Sequence, residues 1–197
     1  MAMNLLGRGL SAANQDEDAL TIQEAELAME RRLGGSESDI LTVQGNLAML
    51  YQRLGRREEA LQMKRDVYSG RLKLQGEGHE STLLAANNYA VSLRDLEHFG
   101  EAKSLMRKSI PVARRVFGDN HDFTLRMRRN YALVLYSDDG ATPDDLREAV
   151  ELLEDTARTA RRVLGGAHPI TPSIELALRC AQGKLRARET APAPGSS

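Results

Sequence analysis

The sequence predicts an all-α solenoid, a stack of antiparallel helix pairs, from three observations. The first is a period of 42 residues, which separates the Asn-X-Ala tripeptides that begin at Asn46, Asn88 and Asn130. The second is composition: aromatic residues make up only 4% of the chain and Trp is absent, so Leu, Ala, Val, Met and Ile must form the core. Such a core suits packed helices better than sheets. The third is apolar residues at helical spacing within each period. Together these features are typical of repeat proteins, whose stacked units present extended surfaces to partners.

Other residues follow the same period and locate an insertion. The third copies of these signals come 47 residues after the second instead of 42. The matched sets are Ala60, Ala102 and Ala149; Gly76, Gly118 and Gly165; and His79, His121 and His168. Five extra residues therefore precede Ala149, and the segment DDGATP is where we expect them. The chain divides into a degraded partial repeat (1–39), repeats at 40–81, 82–123 and 124–170 with an insertion near 137–142, a capping helix (171–188) and a disordered tail (189–197).

The N-terminal partial repeat is predicted to keep one complete helix. Ala19 and Gly35 are spaced like Ala60 and Gly76, so residues 16–34 form the second helix of a pair. Its first helix is reduced to about residues 3–13, where glycines lower helix propensity. This start leaves the apolar face of the helix at 16–34 poorly covered. We therefore consider self-association through the N-terminal partial repeat as an alternative role.

The first complete repeat reads as two helices. Apolar residues recur at helical spacing from Leu41 to Leu54, and Gly55 ends the first helix. The second begins near Arg56 and places Ala60, Lys64 and Val67 on one stripe. Gly76 ends it, as glycine commonly does just past a helix.

The second repeat contains the main conflict with helical structure. Its first helix covers TLLAANNYAVSLRDL, a break is expected near Gly100, and the second helix covers EAKSLMRKSIPVARRVFG. Pro111 lies inside that second helix. Since proline lacks a backbone N–H, we expect it to kink the helix or disturb its hydrogen-bond ladder.

Polar residues predict where the later helices begin. Thr82, Thr124 and Thr171 stand where each first helix starts, as N-cap residues would. Thr142 followed by Pro143 predicts a helix at 143–164 after the insertion. A last helix at 172–187 would cover the final apolar face of the stack, and ETAPAPGSS after it is disordered by composition.

Composition and motifs argue against several classes of function. The 27 basic and 28 acidic residues give a net charge of −1, which argues against nucleic-acid and membrane binding. No apolar run reaches the roughly 20 residues of a membrane span, and the N-terminus lacks a secretory h-region, so a cytoplasmic location is expected. Cys180 is the only cysteine and is predicted to be a buried small hydrophobe. No enzyme signature is present, and we predict no catalytic activity and no cofactor.

The recurring histidines are predicted to be structural. Successive repeats stack roughly 10 Å apart, whereas zinc–nitrogen bonds are about 2.1 Å long. His79, His121 and His168 therefore cannot share a metal ion, and each is expected to bond the backbone of its inter-repeat loop. His98 is out of phase and expected to be exposed.

Several segments resemble the tetratricopeptide repeats of kinesin light chains. They are TLLAANNYAVSLRDLEHFGEA and TLRMRRNYALVLY, closed by FGDNHD and LGGAHP. The resemblance covers most of residues 16–188. It implies a right-handed superhelix in which the first helices line a concave groove and the second helices lie outside. It also implies that Asn46, Asn88 and Asn130 bond the backbone of a bound peptide; the alternative is that they stabilise the turn or the neighbouring repeat.

Helical spacing identifies the other residues on the predicted groove face. They are Thr42, Gly45, Met49, Gln52 and Arg53; Leu84, Asn87, Val91 and Arg94; and Arg126, Arg129, Leu133 and Tyr136. Arginine forks pair bidentately with carboxylates. The sequence therefore predicts an adaptor that binds an extended acidic peptide; alternatively the arginines are a solvated face. The other role considered is a structural spacer or oligomerisation fragment of a larger signalling or motor-associated protein.

Overall fold

The computed structural model describes residues 16–190 and is all-α, as predicted. Within that range the chain forms eight α-helices and no strand. The helices are α1 (Asp16–Leu33), α2 (Glu37–Arg53), α3 (Arg57–Gln75), α4 (Glu80–Asp95), α5 (Phe99–Phe117), α6 (Asp122–Ser137), α7 (Pro143–Val163) and α8 (Ile170–Thr190). The predicted helix at 3–13 lies outside the described residues.

The helices fall into two compact units that divide between Leu96 and Glu97. Unit 1 contains α1 to α4 and unit 2 contains α5 to α8. In each unit every helix packs against the next one along the chain, and α8 also packs against α6. This serial packing is the predicted solenoid arrangement, in which each element contacts mainly its neighbours.

Alanines recur at fully buried positions on both helices of each repeat. They are 0–1% exposed in every repeat: Ala48, Ala60, Ala90, Ala102, Ala132 and Ala149. A larger side chain at these positions would overpack the contact between helices. The 42-residue period therefore reports a packing requirement as well as a sequence pattern.

Histidines, and not the predicted threonines, cap α4 and α6. The Nδ1 atoms of His79 and His121 accept hydrogen bonds from the backbone N–H groups of Ser81 (3.1 Å) and Phe123 (3.2 Å). His168 Nδ1 accepts in the same way from the N–H of Ile170, at 3.4 Å. The prediction that these histidines bond the backbone is confirmed.

The threonines lie three residues further into the chain, so their assignment as N-caps is wrong. Thr82, Thr124 and Thr171 are buried inside the packed first turn. The hydroxyl of Thr82 donates to the carbonyl of Arg71 (3.2 Å), and that of Thr171 donates to the carbonyl of Gly165 (2.8 Å). These two side chains therefore tie a helix to the chain segment before it.

The break between α4 and α5 lies at Leu96–His98, before Gly100. Gly55 has a positive φ of 77° at the turn of the first repeat, and Glu97 takes the same place 42 residues later with a φ of 63°. Gly100 lies in the first turn of α5. The break therefore keeps the repeat period. Glu97 takes the left-handed conformation at the position of Gly55, although glycine adopts that conformation more readily.

Helix α5 continues through Pro111. The ring leaves the carbonyl of Arg107 without its usual amide partner. Pro111 is exposed, so water can reach this part of the helix.

The insertion ends at the cap predicted for α7. Thr142 and Asp145 form a capping box, with Asp145 N–H donating to Thr142 Oγ1 (3.1 Å) and Thr142 N–H to Asp145 Oδ2 (3.2 Å). Further along, α8 runs to Thr190 and so includes Glu189 and Thr190, which were predicted to begin the tail. The rest of the predicted tail lies outside the described residues.

Candidate functional site

The predicted groove face in unit 1 combines exposed apolar side chains with amides. Met49 on α2 and Leu84 on α4 are 57% and 46% exposed. Asn46 and Asn88, predicted to hold a peptide backbone, are half-buried on the same two helices. The ends of α2 and α4 are linked, since the amide of Gln52 donates to the carboxylate of Asp95 at 3.4 Å. Val91 is also half-buried, whereas Asn87 is buried.

The arginines predicted for this face are already matched by carboxylates of the chain. Arg53 forms an ion pair with Asp16 at 2.9 Å. Arg94 binds the carboxylate of Asp95 through two nitrogens, at 2.6 and 3.1 Å. The unit 1 face is therefore mainly apolar and amide in character, with its cations locally compensated.

In unit 2, the predicted residues divide between the surface and the interior. Arg126 is half exposed and pairs with Asp122, one helical turn earlier, at 3.1 Å. Arg129 donates to the backbone carbonyl of Ser173 on α8 (3.4 Å) and to the side-chain oxygen of Asn130 (3.2 Å). Asn130 and Tyr136 are buried. Arg129 thus joins α6 to α8, while Arg126 lies at the surface.

Cys180 is exposed, so the prediction that it is buried is wrong. It lies 47 residues after Leu133, which the period places at the equivalent groove-face position of α6. The apolar stripe of α8 falls on other residues: Ile170, Thr171, Ile174, Ala177 and Ala181. Cysteine as a residue type favours burial, whereas the position of Cys180 in the repeat predicts exposure.

The burial of Lys64, beneath the unit 1 face, was not predicted from the sequence. Lys64 on α3 is 7% exposed; its ammonium donates to Ser92 Oγ at 2.7 Å and to the side-chain oxygen of Gln52. Burial lowers the pKa of Lys64 to about 8, although the charge of Asp95 opposes that shift. The lysine therefore links α3 to both neighbouring first helices.

Arg71, on the same helix, makes a second buried link. Its guanidinium donates to Ser38 Oγ at 2.9 Å, to the Ser38 carbonyl at 3.0 Å and to Thr42 Oγ1 at 2.6 Å. Desolvation lowers the pKa of Arg71. Helix α3 thus supports the two helices that carry the unit 1 face through two hydrogen-bonded cations.

A hydrogen-bonded cluster centred on Tyr131 joins three helices in unit 2. Arg107 of α5 donates to the hydroxyl of Tyr131 at 2.6 Å, and that hydroxyl donates to Glu148 of α7 at 2.7 Å. Burial, followed by the hydrogen bond to Glu148, raises the pKa of Tyr131. The phenol is therefore protonated at neutral pH, as suits a structural link.

The described residues contain neither a metal cluster nor a membrane span. No group of three or more metal-ligating side chains comes together between residues 16 and 190. In the same range, no helix has the length and apolar character that crossing a bilayer requires.

Two family models, both describing the tetratricopeptide repeat, match this sequence. One matches residues 1–73, and the other matches residues 82–122 and 144–170. The chain belongs to the tetratricopeptide repeat family. The interval between the two matched parts of the second model contains the predicted insertion. Tetratricopeptide repeats form protein–protein interaction scaffolds, and the chain is such a module.

Solved structures share this fold. A putative kinesin light chain of Podosopora anserina, described as having nearly identical TPR-like repeats, has a TM-score of 0.80 at 22% identity, with 95% of this chain and 87% of that chain covered. A variant of that protein has a TM-score of 0.82 at the same identity and coverage. BtubC (BKLC) from P. vanneervenii has a TM-score of 0.65 at 16% identity, covering 99% and 83%. The curated proteins include no match to the chain.

Proposed function

We propose that this chain is an adaptor that binds an extended peptide segment of a partner protein along its first helices. The observation that supports this most is the exposure of Met49 and Leu84 on the helices that carry Asn46 and Asn88, although the Nδ2 atom of Asn46 is buried. Exposed apolar side chains grouped on one surface are typical of interaction sites. An asparagine amide offers one acceptor and two donors, which match the carbonyl and N–H of an extended backbone.

We further propose that the first helices of unit 2 bind acidic residues of a partner protein. The described part of unit 1 carries 10 basic and 14 acidic side chains, whereas residues 97–190 carry 16 basic and 14 acidic ones. Arg126 is the half-exposed cation of the predicted face, and a bound carboxylate would replace its ion pair with Asp122. Met49 and Leu84 of unit 1 would bind apolar residues of a partner.

A displayed library of random peptides tests both parts of the proposal. Wild type should enrich apolar peptides and acidic peptides. Leu84→Asp should lose the apolar preference, and Arg126→Glu should lose the acidic one. Arg126 is a better target than Arg129, because Arg129 also holds the backbone of α8.

The matched control is Lys108→Glu, the same charge reversal at an exposed position of α5. This variant should enrich the same peptides as wild type. If it loses the acidic peptides as fully as Arg126→Glu does, net charge and not the α6 surface determines binding. If wild type enriches no peptide, the adaptor proposal fails, and the structural-spacer alternative is favoured.

A further inference from the structure

A second surface, a groove between α7 and α8 in unit 2, has the composition of a helix-binding site. It measures about 640 Å³. Its apolar floor includes Ala157 and Leu178. Four arginines and two glutamates from both helices surround it: Arg158, Arg161, Arg162, Arg179, Glu154 and Glu175. None of these residues belongs to the peptide surface proposed above.

The four arginines outnumber the two glutamates of the lining, and Arg179 lies close enough to Glu175 to help lower the pKa of that carboxyl, after the larger effect of Arg161. Arg161 pairs with Glu175 at 2.6 Å, and Arg162 donates to the side-chain oxygen of Asn120 at 3.3 Å. Arg158 is 3.9 Å from the carboxylate of Asp155 and is largely exposed. Arg179 is exposed as well. The groove therefore favours an acidic occupant.

The repeat register indicates that this groove is where the second helix of a further repeat would pack. Helix α6 buries Leu125, Ala132 and Leu135 within the helix packing of unit 2. The corresponding residues of α8, 47 positions later, are Pro172, Arg179 and Gln182, and the first two are exposed. In the part of the chain that the structure describes, α8 packs against α6 and α7. A helix with the role that α7 has beside α6 would fit against this face.

Helix α1 is the second helix of the N-terminal partial repeat, and its surface is complementary to the groove. Its outer side carries four exposed residues at a spacing of four: Thr21, Ala25, Met29 and Leu33. Leu33 is 71% exposed, the largest exposure among the large apolar side chains of the described residues. The helix carries six carboxylates and two arginines. An apolar stripe within an acidic helix matches an apolar floor surrounded by arginines.

We propose that copies of this chain associate head to tail, with α1 of one copy binding the groove between α7 and α8 of another. The two surfaces differ, so the contact is heterologous, and its repetition would produce rings or chains of copies. One helix in one groove is a small interface, so the association is weak and concentration-dependent. Because charge complementarity contributes, added salt weakens it.

Sedimentation velocity on wild type and two double variants tests this contact. Arg158→Glu/Arg179→Glu reverses the charge of the groove and leaves α1 intact. Met29→Gln/Leu33→Gln removes the apolar contacts of α1 without changing its charge, and leaves the groove intact. The mass of wild type should rise with concentration, and each double variant should show a dissociation constant roughly tenfold higher or more.

Mixing the two double variants tests the proposed contact most directly. Each retains one intact surface, so an equimolar mixture should form dimers and nothing larger. Lys108→Glu should associate as wild type does, and circular dichroism should show that every variant keeps its helical content. The proposal is overturned if wild type stays monomeric at all concentrations, if the mixture stays monomeric, or if the mixture forms species larger than a dimer.

Discussion

Units 1 and 2 place different chemistry at equivalent positions of one repeat. Lys64 and Arg71 on α3 correspond, 42 residues later, to Met106 and Ala113 on α5. All four side chains are buried. Unit 1 therefore holds two cations in the positions that unit 2 fills with a thioether and a methyl group.

The partner positions change together with these residues. Ser92, which accepts a hydrogen bond from Lys64, corresponds to Val134, and both are buried. Helix α7 continues the apolar choice with Leu153 and Ala160. The period thus specifies which positions are buried, whereas their polarity is set repeat by repeat. Because buried cations must be hydrogen-bonded, unit 1 depends on directional contacts and unit 2 on packing.

The largest effect should come from giving unit 2 the lysine of unit 1. In Met106→Lys, an ammonium would lie in an apolar site without the acceptors that Ser92 and Gln52 supply to Lys64. We expect a loss of about 3–5 kcal/mol in the free energy of unfolding, the cost typical of an uncompensated buried charge. Urea unfolding followed by circular dichroism measures it. Adding Val134→Ser should recover part of the loss; no recovery would contradict the equivalence of the two sites.

The reverse exchange should stabilise unit 1. Lys64→Met/Ser92→Val gives unit 1 the residues of unit 2. Replacing buried polar pairs with apolar residues of similar volume is often neutral or stabilising, by about 1–4 kcal/mol. Lys64→Ala is the matched control and should destabilise, since it leaves a cavity and removes a donor. A double variant as unstable as Lys64→Ala would show that the polar contacts contribute net stability.

The same comparison predicts a pH dependence specific to unit 1. The pKa of Lys64 is about 8 in the folded protein, against an ordinary 10.5. Between these values the unfolded chain binds more protons, so the free energy of unfolding should rise with pH. Relative to Lys64→Met/Ser92→Val, wild type should gain on the order of 3 kcal/mol across this window. Parallel curves for the two proteins would show that Lys64 titrates as it does in the unfolded chain.

The smallest effect concerns the two turns that lie one period apart. Glu97 occupies the left-handed conformation that Gly55 has in the preceding repeat. Glu97→Gly should therefore raise the free energy of unfolding by about 1 kcal/mol, and Gly55→Ala should lower it by a similar amount. Thermal unfolding of both variants checks the pair. A loss of stability in Glu97→Gly would indicate that the glutamate side chain outweighs its backbone strain.

The repeat period and the helices were predictable because they depend on local spacing. The alanine contacts and the helix end at Gly76 recur with the period, while the capped start of α7 and the helix end at Gly55 follow from local residue preferences. The histidine caps were missed because residue preference favoured threonine, although His79 and His121 recur with the same period. Lys64 already lay on the stripe of Ala60 and Val67, so its burial could have been predicted from its register.

The site was harder to predict, because helical spacing gives the side of a helix but not the depth of its side chains. Asn130 and Tyr136 lie on the predicted side of α6 and are nevertheless buried. The charge partners also come from other helices or turns. Arg53 is matched by Asp16, which is 37 residues away, and Arg129 bonds the backbone of α8. These contacts depend on packing that the sequence period does not specify.

Cys180 allows the most direct measurement of peptide binding. It is exposed and is the only cysteine, so a thiol-reactive fluorophore would label the proposed surface at one position. Titration with a selected acidic peptide should change the fluorescence of labelled wild type and Lys108→Glu saturably. Arg126→Glu should bind roughly ten to a hundred times more weakly, the effect expected for a lost charged hydrogen bond. Equal affinity in all three proteins, or binding without any change at Cys180, would contradict the proposed site.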